Sequence, residues 1–352
     1  MSTTSGPVPI AARRPIIEVL RQVAGDSGWA YGFVFAYFLF VTAAALAIGR
    51  PANAPAAVYL GQWIGFPLAT GGAYLVVAFL GSLTTPQPMV RFRKRLAVLS
   101  SPQTLSRLAL FVMLWMFHGM FTSMKGMLSI IAPFRWDEDL AEWDRLLHGA
   151  DPWTLIPQGE AFTRVLQFVY LPGWLMMLMA VNIWVCFFAA PALRQRFLKT
   201  YLFSWVFLGN AVALAFMSAG PVYYEHVAGS ARFAPILHYL EFSRGLPYSN
   251  LMAVDYLWAN YASGGAQMGS GISAFPSLHL AMATLWACTF WHVVPRLRAV
   301  LVGFVVLIQI GSVYLGWHYA IDGYASILVT LVAWWLFGRM ISGPPKTSSC
   351  SS

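Results

Sequence analysis

Apolar residues in this chain fall in long runs, not at the alternating or one-faced spacings of a water-facing fold. Eight stretches approach the ~20 mostly apolar residues that a membrane-spanning helix needs. They cover roughly 29–48, 58–83, 108–132, 165–190, 201–220, 278–294, 299–317 and 322–341. The sixth is short, and Pro67 and Gly71-Gly72 break the second. No segment repeats at a fixed period, so neither a solenoid nor an inverted-repeat transporter has support. The pattern predicts an all-α polytopic membrane helix bundle over 29–341. A polar N-terminal segment, 1–28, precedes it, and a Pro/Ser-rich tail expected to be disordered, 342–352, follows. Residues 14–24 have the pattern of an amphipathic surface helix. No short apolar core with a small-residue cleavage site precedes the first run, so no cleavable signal is expected.

Composition agrees. Of 352 residues, 59 % are hydrophobic and 10 % charged, with a mean hydropathy of +0.63; an average soluble domain has ~25 % charged residues. This excludes a disordered chain and argues against an ordinary soluble enzyme. The formal charge of +9 would point to nucleic acid in a soluble protein. Here the cations sort by loop instead. With the N-terminus in the cytoplasm, the inner side holds fifteen: Arg13, Arg14, Arg21, Arg91, Arg93, Lys94, Arg95, Arg107, Arg194, Arg196, Lys199, Arg296, Arg298, Arg339 and Lys346. The outer side holds six: Arg50, Arg135, Arg145, Arg164, Arg232 and Arg244. That asymmetry sets both ends inside. No nucleic-acid patch, phosphate-cradling glycine loop or metal-ligand cluster is present. Three cysteines make no disulfide framework.

Two outer segments stand out. Asp137, Glu138, Asp139, Glu142, Asp144, Asp151 and Glu160 share one loop. Within it, Trp136 to His148 spaces Leu140, Trp143, Leu146 and Leu147 as a short helix lying on the outer membrane surface would; the plainer alternative is a solvated charged loop. The long outer loop, Pro221 to Ile272, has the length of a lid or substrate entrance.

Of seven histidines, two occupy informative places. His279 lies in Phe275-Pro276-Ser277-Leu278-His279, at the outer start of the sixth run. His318 lies in Gly316-Trp317-His318-Tyr319-Ala320-Ile321-Asp322, between the seventh and eighth. The topology rests on Lys/Arg counts alone, yet it brings both histidines and Asp322 to one outer interface. Four residues apart, His318 and Asp322 share a helical face. Asp322 can accept the Nδ1 proton and leave Nε2 as a nucleophile. His279 opens a helix, where the dipole and free N–H groups favour an anion such as phosphate. Ser277 is placed as an N-cap or phosphate donor. A second histidine facing the first is what a leaving-group acid requires.

These two segments resemble the second and third signatures of the type 2 phosphatidic acid phosphatase superfamily, Pro-Ser-x-His and Ser-Arg-x3-Gly-x-His-x3-Asp. The form with Phe275 and with His318-Tyr319 more closely resembles the inositol phosphorylceramide synthase branch, and sphingomyelin synthases share the His-Tyr-x2-Asp part. The resemblance implies a phosphohistidine mechanism without metal or cofactor. His318 would attack phosphorus, Asp322 would orient it, and His279 would protonate the leaving oxygen. The chain departs from the pattern twice. Gly311-Ser312 stands where Ser-Arg is expected. Lys125, with Ala132-Pro133 after six residues, keeps the lysine of the first signature but loses its arginine. Arginines clamp phosphate oxygens. Their loss fits transfer of a phosphodiester headgroup better than hydrolysis of a phosphomonoester. Arg135, Arg232 and Arg244 are on the side to substitute.

The expected enzyme is a multi-pass protein of the cell membrane, with its site on the extracytoplasmic face. It transfers a phospho-headgroup such as inositol phosphate to or from a lipid. Its catalytic residues are His318, His279 and Asp322, and Ser277, Lys125, Arg135, Arg244 and Tyr319 bind substrate. The expected partners are a lipid substrate and the bilayer; the oligomeric state is not set. A lipid phosphate or polyprenyl diphosphate phosphatase with the same residues is the nearest rival, and a non-catalytic transporter or scaffold the more distant one. Plainer readings stand beside several residues. His318 can bond Asp322 for structure alone, His279 can be a mere cap neighbour, and Lys125 can snorkel to the interface. His118 reads as a packing residue. Trp174 to Met179 and Trp334-Trp335 read as core, lipid-facing or anchoring residues. Gly264-Gly265 and Gly269 to Gly271 read as flexibility before the His279 motif.

Overall fold

A computed structural model of the chain describes residues 15–342, except 265, 266 and 268. The first fourteen residues and the tail at 343–352 lie outside the described residues.

The described residues are helical with no strand. In order they form α1 Pro15–Ala47, α2 Pro55–Leu83, α3 Pro88–Leu99, α4 Pro102–Ile131 and α5 Asp137–His148. Then come α6 Glu160–Phe187 and α7 Pro191–Ala215, and α8 Tyr224–Ala228, α9 Ala234–Leu240 and α10 Asn250–Ala262. The chain closes with α11 Leu278–Phe290, α12 Arg298–Tyr314 and α13 Ala320–Ser342. Several helices open on a proline, at Pro55, Pro88, Pro102 and Pro191. The ring presets the first helical φ, and the missing N–H would have had no partner there. Ser101 caps α4 by accepting the Thr104 N–H.

Seven of these helices are long and apolar enough to cross a membrane. The chain is thus a polytopic helical bundle, with differences in detail from the sequence expectation. The sixth expected span is the helix α11, only 13 residues. At 1.5 Å per residue it reaches ~20 Å, short of the ~30 Å hydrocarbon core. It is buried from Leu280 to Ala287 and packs on α7, α12 and α13. α2 runs unbroken through Pro67 and Gly71-Gly72. Most of it faces outward, where lipid offers no alternative hydrogen bond and a break would strand backbone groups. Of the segment expected as a surface helix at 14–24, the described part from Pro15 on is continuous with the first span. The basic loop after α2 is itself a helix, α3. Its Arg95 turns back to donate to the Ala78 carbonyl at 2.9 Å.

Two stretches wind wider than an α-helix. Val169–Gly173 in α6 and Ser204–Val212 in α7 are π-helical. The first contains Pro172, which cannot donate and forces the turn open. The outer loop Pro221 to Ile272 is folded, not slack. Its helices bury Val222, Tyr223, Val254 and Ile272 in a small core of their own beside Trp317.

Candidate active site

α4, the loop before α11, the first turn of α11 and the turn between α12 and α13 meet at one end of the bundle. They enclose a cavity of about 430 Å³ whose walls include Lys125, His279 and His318. Sequence places these three far apart, and packing brings them to one chamber.

The turn carrying His318 is built from its backbone. The Ser312 carbonyl accepts the N–H groups of Trp317 and His318 at 3.0 and 3.2 Å. Gly316 adopts φ +74°, a conformation that only glycine takes easily. The His318 ring faces Asp322 with Nδ1 to Oδ2 at 3.2 Å. The same Oδ2 accepts the Tyr319 N–H at 3.1 Å, and the Asp322 side chain is fully buried. Both contacts are to the one oxygen, which is thereby kept facing the His318 ring. Burial, and then the Lys125 ammonium, push the His318 imidazole down to about 3. The ring is therefore neutral at physiological pH, and in the tautomer that donates Nδ1–H to Asp322 the other nitrogen carries the lone pair.

His279 stands opposite, its ring centroid 6.4 Å from that of His318 and tilted by 60°. Tyr170 stacks on the His279 ring at 4.2 Å and 12°, and Trp174 packs at 4.2 Å and 39°. Trp174 also donates to the His279 carbonyl at 3.2 Å. Tyr170 lies in the π-helical stretch of α6, and Trp174 opens the regular helix that follows it. Lys125 forms no hydrogen bond or ion pair among the described residues. It is the one cationic side chain of the Lys/Arg type on the cavity wall. The remaining walls are largely apolar, including Phe121, Leu171, Trp205 and Leu257.

The other expected residues are placed differently. Ser277 is fully buried behind the cavity wall and makes no cap bond; its backbone N–H donates to the Asp322 carbonyl at 3.3 Å. Tyr319 is also buried and donates its hydroxyl to Asp137 at 2.9 Å. Arg244 is outside the cavity, paired with Glu241 and Asp255, and Arg232 is paired with Asp151. Arg135 is exposed and away from the cavity wall. The position where the resemblance expects an arginine holds Ser312, buried, with its hydroxyl donating to the Gln309 carbonyl at 2.8 Å. His118 bonds Tyr201 at 2.5 Å and packs edge-on to Trp205, off the cavity wall.

Sequence reasoning missed four residues. Trp174, read as a core or anchoring residue, lines the cavity. Tyr170 escaped notice, although Pro172 nearby signals an irregular turn. Asp137 and Asp144, read as part of a charged outer face, are buried clamps. Asp137 accepts the N–H groups of Ala219 and Gly220, both at 2.8 Å, besides the Tyr319 hydroxyl. Asp144 accepts the N–H groups of Ala320 and Ile321 at 2.6 and 3.0 Å, capping α13 from another helix. Their seven-residue spacing on α5, with Leu140 and Ala141 between, marks one buried face. Trp143, Leu146 and Leu147 point away from the protein on the other side, as a helix lying on a membrane requires. Gly271 also does more than bend. It has φ +109°, and a Cβ there would come within 2.7 Å of the backbone at Lys125 and Gly126. Only glycine lets the loop press onto α4 at the lysine. Gly265 lies outside the described residues.

A family model, that of the PAP2 superfamily, matches residues 138–336, more than half of the chain. The match includes His279, His318 and Asp322 and leaves Lys125 and Asp137 outside. No curated protein and no solved structure gives a significant match.

Proposed function

Since the chain belongs to the PAP2 superfamily, whose membership supports a membrane enzyme of the phosphatase type, we propose that it is a phosphotransferase acting on a lipid phosphodiester. The observation that carries this reading is the charge of the cavity. One lysine and two histidines face a largely apolar chamber, and the arginines expected to clamp a phosphomonoester are absent or engaged elsewhere. A phosphomonoester dianion needs several cations to offset its desolvation. A phosphodiester carries one charge, which Lys125 can balance.

His318 attacks phosphorus through the nitrogen turned away from Asp322. The bond to the leaving oxygen breaks, and His279 gives that oxygen a proton, which it takes up once the anionic phosphate is bound, because burial and the facing His318 push the imidazole of the empty site below its ordinary range. Lys125 offsets the charge on the non-bridging oxygens. An acceptor hydroxyl then loses its proton to His279 and attacks the phosphohistidine, releasing His318. An inositol phosphate headgroup and an alcohol-bearing lipid acceptor fit this scheme and the likeness to the inositolphosphotransferase branch.

We place the site on the extracytoplasmic face of the cell membrane. Support comes from the Lys/Arg asymmetry and from α13, which carries Asp322 at one end and Arg339 at the other.

The test is to incubate pure protein with phosphatidylinositol labelled in phosphate, with and without ceramide. A new labelled phosphodiester that needs the alcohol supports the proposal. Labelled inositol phosphate or free phosphate, whatever alcohol is added, makes the protein a hydrolase. Cysteines at Glu138 and Met89 should label from outside and inside respectively with an impermeant reagent; the reverse pattern overturns the sidedness.

A further inference from the structure

The end of the bundle away from His318 holds a second recess, which the proposed reaction does not use. α11, α12 and α13 enclose a groove of about 440 Å³, within the ~300–1,000 Å³ typical of ligand sites. α11 forms its floor with Thr284 and Cys288. The walls are Val302 and Val306 from α12 and Leu331 from α13. Those three wall residues are 47 %, 50 % and 46 % exposed, so the groove opens sideways, toward the acyl chains that surround a bundle of spanning helices.

Its mouth is basic. Arg196 lies 4.0 Å over the ring of Trp334 and donates to the Trp334 carbonyl at 2.8 Å. Arg298 is not itself a wall residue; it lies 5.0 Å over the wall residue Trp291 and donates to its carbonyl at 2.9 Å. Both tryptophans line the groove, and no lining residue is acidic. Each arginine is held by one nitrogen and a ring face, which leaves further N–H donors for an anion.

We propose that this groove binds one acyl chain of an anionic phospholipid, with the lipid phosphate held by Arg196 and Arg298. Charge complementarity selects this occupant. Basic recesses between spanning helices recognise anionic headgroups, and a zwitterionic lipid of equal chain length gains less from two guanidinium groups. The proposal is independent of the reaction assigned to the His318 cavity.

Cys288 on the groove floor is a built-in reporter. Cys186 is fully buried, and Cys350 is removed as Cys350→Ser. The full-length protein in mild detergent is treated with methyl methanethiosulfonate and followed by intact mass. Added palmitoyl-oleoyl phosphatidylglycerol, at about ten times its dissociation constant, should slow modification of Cys288 about tenfold by mass action. Phosphatidylcholine with the same chains should protect much less. Arg196→Gln/Arg298→Gln should bring the two lipids level. Val306→Trp, at a half-exposed wall position, should fill the groove and remove lipid dependence. Equal protection by both lipids in the wild-type groove would overturn the proposal without recourse to any variant. Discrimination retained in the double-arginine variant would overturn the assignment of the phosphate.

Discussion

Asp137→Asn probes a role that only the packed structure shows. The carboxylate accepts three hydrogen bonds, with Oδ1 taking the Gly220 N–H and the Tyr319 hydroxyl and Oδ2 taking the Ala219 N–H. An asparagine can keep its oxygen at the Oδ1 position. Its NH2 then points at the Ala219 N–H across 2.8 Å, donor against donor. One charge-assisted bond is lost, about 1.5–3 kcal/mol, and a buried donor is left unsatisfied, about 1–3 kcal/mol. The expected loss is therefore ~2.5–6 kcal/mol, with the carboxylate's burial cost, which raises its pKa, pulling toward the lower end. The same change at Asp139, exposed on the same helix, should cost less than ~0.5 kcal/mol. Reversible unfolding in mixed micelles, followed by tryptophan fluorescence, measures both. Turnover should also fall in Asp137→Asn at temperatures where it remains folded, because Tyr319 adjoins His318 and contacts Asp322. If Asp137→Asn and Asp139→Asn were equally stable, the carboxylate would be a solvated surface group and the clamp would be wrong.

Three further outcomes are expected. Asp322→Asn should leave the fold intact and depress turnover by about four orders of magnitude, as the corresponding swap does in a serine protease; activity within tenfold of wild type in a transfer assay would make the pair structural. Stability should fall with acidification. The folded His318 titrates at about 3 and the unfolded residue near 6.5, so protons favour the unfolded chain as pH drops below 6.5. At pH 5 this amounts to ~2 kcal/mol. A pH series of apparent Tm should show that slope reduced in His318→Gln, and an unchanged slope would refute the assignment. Gly271→Ala forces a Cβ to 2.7 Å from the α4 backbone and should cost more stability and activity than Gly269→Ala, which has positive φ but nothing within 4 Å. Equal losses on thermal unfolding would mean that only backbone strain matters.

The runs of apolar residues determined the class of fold, because a continuous apolar stretch of ~20 residues satisfies its backbone in lipid as a helix, whereas the strands of a closed barrel are shorter and alternate. The four-residue spacing of His318 and Asp322 anticipated their contact, but His318 lies in the turn before α13, and the backbone of that turn, not a shared helical face, aims its ring at Asp322. The linear pattern also drew attention to His279 and Lys125, though not to how near each other they lie. Tertiary packing decided that, and it decided which charges matter. Arg135, Arg232 and Arg244 have the same composition-level claim on phosphate as Lys125. Only the folded chain shows Arg232 and Arg244 paired with carboxylates, Arg135 exposed, and Lys125 turned into the cavity without a partner. Asp137 and Asp144 look like their exposed neighbours Glu138 and Asp139 until the Ala219–Gly220 loop and the start of α13 close over them. α11 looks like a membrane span until its neighbours bury it at 13 residues. Local periodicity is a property of consecutive residues, so the sequence carries it. Whether a polar group faces water, lipid, a cavity or another donor depends on which distant segments arrive beside it, and that is set only when the whole bundle packs.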